Sequence, residues 1–216
     1  MTWSETAILV VAVVVLVGWL LWVAASRLDR LHRKVMASRL ALDAQLVRRA
    51  SAAVDLAASG ELDPASSVLL AEAAHAVLDD DADARRLAES VPGLTGRDAP
   101  RPRRLLGGMA PSRALAESDL SATLRSALED PEDVAELREV PAGDELLGTL
   151  AAAWYRAQLA RRFHNEAVAQ ALRVRSKWWV RLFRLAGHAP MPATVELDDS
   201  WPPGLGRPVE LAAGAS

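Results

Sequence analysis

The chain has 216 residues, with 25 Lys and Arg against 28 Asp and Glu, a net charge of −3 and no cysteine. The missing cysteine excludes disulfides, thiolate chemistry and cysteine-based zinc sites, and the acidic balance argues against nucleic acid as a partner. Hydrophobic residues make up 51 % of the chain while mean hydropathy is only +0.09, because the apolar excess is concentrated at the N-terminus and in alanine.

Residues 1–25 comprise a short leading segment and an uncharged run from Ala7 to Ala25, rich in Val and Leu and centred near Val14. At ~1.5 Å per residue, about 19 residues span roughly one hydrocarbon core. Trp19 and Trp22 fall in the last turns, where indoles favour the membrane interface. Gly18 has no second small residue at dimer spacing, so it carries no helix-packing motif. A cleaved signal peptide would begin with Lys or Arg, and here Glu5 stands in that place. Just after the run come Arg27, Arg30, Arg33 and Lys34 against Asp29 alone. The positive-inside tendency then predicts a single-pass protein of the cell membrane, with its N-terminus outside and the remainder in the cytoplasm.

Residues 26–187 are expected to form an all-α, antiparallel bundle of long helices that continues from the anchor. Ala, Leu, Arg and Glu dominate and favour helix, while Ile and Tyr are nearly absent. No Gly or Pro interrupts Val23 to Ser59, and Leu28, Leu31, Val35, Leu42, Leu46 and Ala53 recur at three-four spacing, so helix one should run on to a stop at Gly60. Asp63-Pro64 is a cap-and-proline start for helix two, with Val68, Leu69, Ala73, Val77 and Leu87 as its buried face and the Asp79–Asp83 acidic run interrupting it. Eight Gly and Pro residues make 91–111 a loop, which also carries Arg101, Arg103 and Arg104. A third helix starts at Ser112 with Leu115, Leu120, Leu124, Ala127 and Leu128 apolar, and a short helix covers Glu132 to Glu139 after Asp130-Pro131. Pro141 and Gly143 should break the chain again. A fourth helix then runs from Asp144 to about Ala186, with Leu147, Leu150, Trp154, Ala157 and Val168 inward. Residues 188–216 are a Pro- and Gly-rich tail, expected to be mostly disordered, with Ala193 to Leu197 as a segment able to dock.

Two segments are similar to the LemA family of bacterial membrane-anchored proteins. One is the run around Asp43, Gln45, Leu46, Arg48 and Arg49; the other is Ala160-Arg161-Arg162-Phe163-His164-Asn165-Glu166-Ala167-Val168. The similarity extends from about Leu28 to Gly187. This chain departs from the family pattern at Ala52-Ala53-Val54-Asp55-Leu56, at His164, where the family usually has tyrosine, and in the loop 91–111. The resemblance implies a single anchor and a long antiparallel bundle, and it implies no reaction.

The residues offer few chemical constellations. Asp79, Asp80, Asp81 and Asp83 lack the Gly and terminal Glu of a calcium loop and read as a solvated turn. His32, His75, His164 and His188 form no helical pair, and Glu72 with His75 lacks the second copy that a di-iron bundle needs. No cofactor is expected. Arg161 to Glu166 is the most polar cluster on the fourth helix. Its functional reading is an anion-binding surface; its structural reading is that Arg161 or Arg162 pairs with an acid such as Asp43, while Asn165 satisfies a backbone group. Arg173, Lys177, Arg181 and Arg184 share one face of the expected continuous helix, and Trp178 and Trp179 lie on the other. Such a basic amphipathic segment suits an anionic leaflet. In an up-and-down bundle it and the loop arginines both lie at the membrane-proximal end. The expected function is a non-enzymatic, membrane-tethered interaction or scaffolding module, with lipid and an unidentified protein as partners and self-association through an unused stripe. The alternative is an enzyme or metal-dependent bundle using Arg161 to Glu166.

Overall fold

The structure, a computed structural model, describes residues 3–90, 106–187 and 189–206, without the side chains of Glu5 and 81–90. It is helical, with no strand among the described residues. The helices are α1 (Trp3–Ala58), α2 (Pro64–Ser90), α3 (Pro111–Ala127), α4 (Pro131–Glu139), α5 (Pro141–Arg175) and α6 (Trp178–Leu182).

α1 is unbroken over 56 residues, roughly 84 Å. Its first part is exposed and apolar, and it is the one helix among the described residues long and apolar enough to cross a membrane. From Leu28 onward the same helix enters the bundle. Leu28, Val35, Leu42, Leu46 and Ala53 are buried as their spacing predicts. The intervening positions of the same stripe are also buried but polar: His32, Arg39 and Arg49.

α5 lies along α1, α2 covers another flank of α1, and α3 packs on α2. Leu147, Leu150, Trp154, Ala157 and Val168 form the inner face of α5. The largest apolar cluster joins Leu56, Leu70, Val77, Leu120, Leu124, Leu147 and Trp154 from all four long helices. Asp63 starts α2 as expected, its carboxylate accepting from the Ala65 and Ser66 amides at 3.0 Å.

Several boundaries and faces differ from the sequence expectation. The buried face of α2 is Leu70, Ala74 and Val77, whereas Val68 and Leu69 are 66 % and 58 % exposed. Leu87 lies outside the described side chains. The acidic run at 79–83 does not interrupt α2, which continues to Ser90. Leu115 is exposed on α3. The expected break falls at extended Val140, and Pro141 and Gly143 open α5 rather than preceding it; proline fits there because its missing N–H lies in the unpaired first turn. Gly143 is required there, since a Cβ would collide with the Leu137 carbonyl oxygen where α4 folds onto α5. The expected fourth helix ends early, at Arg175.

The tail also departs from expectation. Residues 189–206 have no regular secondary structure, yet Val195 and Leu205 are fully buried. The backbones of α3 and α5 do not come within 8 Å of each other, Cα to Cα. The extended tail fills that opening. It bonds α3 through Arg125 to Asp198 at 2.7 Å and through the Asp198 amide to Ser118 at 3.2 Å. On the other side it bonds α5 through Asn165, Arg161, Gln158 and Trp154. It is therefore a strap that closes the fourth side of the bundle.

The register of α2 is tested directly by alanine substitution. Leu70→Ala should destabilise the protein by about 3 kcal/mol and Leu69→Ala by less than about 0.5, as measured by denaturant unfolding of the full chain followed by far-UV circular dichroism. Equal effects would place the core face of α2 elsewhere.

Candidate functional site

Two polar regions organise the bundle, one inside it and one at the end nearest the apolar segment. The inner region centres on Arg49, which has no exposed surface. It donates to Glu117 Oε2 at 2.9 Å, to the Glu117 carbonyl at 3.0 Å and to Ser121 Oγ at 2.9 Å. Arg113, one turn before Glu117, donates to its other oxygen at 2.9 Å. Both carboxylate oxygens are thus held by guanidinium groups. Burial pulls the Arg49 guanidinium below its usual pKa, and Glu117 opposes that shift. The Arg49 guanidinium lies 5.2 Å from the Trp154 ring centroid, a cation–π contact, and Trp201 of the strap packs on Trp154 at 5.8 Å.

The Arg161–Glu166 segment serves the strap. Arg161 makes a two-point ion pair with Asp199, at 2.8 and 2.9 Å. Gln158 and Trp154 donate to the Asp199 carbonyl at 2.6 and 3.2 Å. Asn165 accepts from the Val195 amide at 2.9 Å and donates to the Val195 carbonyl at 3.1 Å, reading one residue of extended backbone from both sides. The structural reading of Asn165, satisfaction of a backbone group, is therefore the observed one. The proposed Arg161–Asp43 pair is not formed: Asp43 pairs with Arg39 on its own helix at 3.1 Å, and the acid that meets Arg161 lies in the tail. Arg48, Arg162 and Phe163 are exposed, Leu46 is buried, and Gln45 lies beside Phe163 along a shallow groove between α1 and α5.

His164 is fully buried between α5 and α1. Its Nδ1 lies 3.1 Å from Ser38 Oγ, and Ser38 donates its own proton to the Val35 carbonyl at 2.9 Å. Burial, and then the nearby Arg39 charge, lower the His164 pKa. His32, 3.4 Å from Arg175, is lowered by burial and then by the Arg175 charge. His75 instead meets the Ala71 carbonyl on its own helix at 2.7 Å.

The second region lies where α5 ends. The helix stops at Arg175, and Ser176 and Lys177 turn back with their amides on Leu172 and Val174. Arg175, not singled out by the sequence, points inward and donates to the Ala189 and Pro190 carbonyls at 2.9 and 2.6 Å. α6 follows, pinned by buried Val180, while Trp178, Leu182 and Phe183 are exposed. Trp179 is not exposed like its neighbour but lies beneath Lys177, whose Nζ is 5.8 Å from the ring centroid. The break means that Arg173, Lys177, Arg181 and Arg184 do not share one helical face. Arg173 lies in the last turn of α5, while Lys177, Arg181 and Arg184 lie in and beside α6. Arg184 has a left-handed backbone, φ 49°, which closes the turn after α6. Arg101, Arg103 and Arg104 lie outside the described residues, as does His188.

The Arg175–His32 contact places this tip beside the first bundle turns of α1. Four cations at 27–34 and five at 173–184 gather here, nine of the 25 in the chain, with Asp29 as their only acid in those segments. No acidic residue occurs between Glu166 and Glu196. Among the described residues the end next to the apolar segment is therefore strongly basic. No protein-family model, curated protein or solved structure matches this chain.

The inner network and the histidines each generate a test. Glu117→Leu alone should cost about 3–5 kcal/mol by stranding Arg49, and Arg49→Met combined with Glu117→Leu should recover much of that loss. A double-mutant cycle of unfolding free energies reads the coupling. His32 and His164 both have folded pKa values below the ordinary 6.5. Their neutral forms therefore contribute stability that is complete above 6.5 and is lost as the pH falls from there through the folded values. Stability should drop over that window, and His164→Gln should flatten the drop in melting temperature against pH.

Proposed function

We propose that this chain is a membrane-tethered, non-enzymatic helical bundle, a divergent LemA-like protein that serves as an interaction or scaffolding module at the cytoplasmic face. The observation that carries this reading is the exposed Trp178–Leu182–Phe183 tip, interspersed with Lys177, Arg181 and Arg184, beside the base of the apolar segment. An indole and a phenyl ring at that level suit the interface, and each nearby cation adds about 1 kcal/mol of attraction to an anionic leaflet. The continuity of α1 supports the same reading. A single unbroken helix from Trp3 to Ala58 would hold the bundle upright on its anchor. Arg49 and Glu117 inside the bundle are engaged with each other, and Arg161 and Asn165 with the strap, which favours a binding role for the outer surface. Val68, Leu69 and Leu115 leave apolar side chains exposed along α2 and α3, where a protein partner or a second copy would find purchase.

The chain lacks native cysteine, so the tip is tested by a polarity-sensitive fluorophore on Leu182→Cys, with Leu69→Cys as control, in nanodiscs. Leu182 should report an apolar interface, more so with phosphatidylglycerol than with phosphatidylcholine alone, and high salt should weaken the difference. Leu69 should report water in both. A Leu182 probe that reads water in both bilayers would contradict the proposal.

A further inference from the structure

The turn after α6 borders an open, surface-facing cavity of about 730 Å³ lined by Arg175, Arg181, Arg184, Ser176, Val180 and Met191. Three features distinguish it from a merely basic surface. Among the described residues its lining holds no carboxylate, and Arg181 and Arg184 are exposed. Its wall is built: Arg175 is fixed by two strap carbonyls, Val180 is buried, and the turn is closed by the Gly187 amide on the Arg184 carbonyl at 2.8 Å. Arg184 itself is held in a left-handed conformation that a non-glycine residue adopts at an energetic cost.

The lining is also two-sided. Guanidinium groups and the Ser176 hydroxyl match the oxygens of a phosphate, for which arginine is the geometrically matched cation. Val180, Ala186 and Met191 offer apolar surface beside them, and Met191 is exposed. A small free anion would leave that apolar wall uncovered. A ligand with a phosphodiester at one end and hydrocarbon at the other would cover both.

We infer that this cavity is a binding site for the headgroup of a single anionic glycerophospholipid, with the phosphate among Arg175, Arg181 and Arg184 and the acyl chains leaving past Met191. The inference rests on the proposed membrane-facing role of the tip and adds a specific site to it. A seated lipid differs from diffuse attraction in depending on which cations are removed rather than on how many.

The experiment uses the full chain in nanodiscs of phosphatidylcholine with a minority of phosphatidylglycerol, and native mass spectrometry to count retained lipid. Arg181→Gln with Arg184→Gln is compared with Arg30→Gln with Arg173→Gln, which removes the same charge from the same end outside the cavity. Circular dichroism verifies that both variants keep the parent helicity. The site predicts that one phosphatidylglycerol is retained by the parent and by the Arg30/Arg173 variant, and that its occupancy falls about tenfold in the Arg181/Arg184 variant. That loss corresponds to about 1.4 kcal/mol. Equal losses in both variants would show diffuse attraction, overturning the site while leaving the membrane-facing role standing. No selective retention of phosphatidylglycerol in any form would overturn both. Displacement of the lipid by millimolar inorganic phosphate, with no preference for phosphatidylglycerol over other phosphate carriers, would make it a free-phosphate site and overturn the lipid assignment.

Discussion

A guanidinium with no exposed surface sets the terms for this bundle. Arg49 points from α1 into the middle of the molecule, and an unpaired buried charge there would be strongly destabilising. Each of its surroundings answers that requirement. Glu117 and Ser121 bring α3 to α1, although the two helices touch little otherwise. Arg113 occupies the second carboxylate oxygen. Trp154 offers its ring face from α5, and Trp201 covers Trp154 from the strap. One polar side chain thus links four separate segments, including one with no secondary structure.

The strap completes the arrangement by a different chemistry. The backbones of α3 and α5 stand apart, and an extended backbone is thin enough to fit between them. Its own amides and carbonyls cannot pair within a strand, so side chains of α5 supply partners. Asn165 takes both polar groups of Val195, while Trp154 and Gln158 share the Asp199 carbonyl. Arg125 and Ser200 hold the Asp198 carboxyl well below the usual carboxylate range. Apolar Val195 and Leu205 fill what remains.

Much of the fold was legible in the sequence, and the illegible parts share a physical cause. The α1 stripe and the inner face of α5 follow helical periodicity, because apolar spacing reports a face directly. The cap at Asp63 and the short helix α4 follow from their proline pairs. On α2, apolar residues at Val68, Leu69 and Leu70 are consecutive, so spacing alone could not choose among them. The burial of His32, Arg39, Arg49 and Glu117 was hidden by their charge, although each falls in phase with apolar neighbours, and that phase was the available signal. The strap has no period to read, and its docking depends on partners far away in sequence. The stop after Arg175 lacks Gly or Pro at the break, and Arg175 turns inward onto carbonyls that only the folded tail supplies. As for the site residues, Asn165 and Arg161 were recognisable as a polar cluster, but Asp199 was not recognisable as their partner. The basic tip was recognisable by composition, while its shape depends on the break.

The central functional claim is that the basic, aromatic end of the bundle faces the inner leaflet, and orientation tests it most directly. Single replacements Ser4→Cys and Ser216→Cys in the cysteine-free chain can be probed in intact cells with a membrane-impermeant thiol reagent. The account predicts that Ser4→Cys labels and that Ser216→Cys labels only after the cells are opened. Labelling of Ser216→Cys in intact cells, with Ser4→Cys protected, would place the bundle outside the cytoplasm and contradict it.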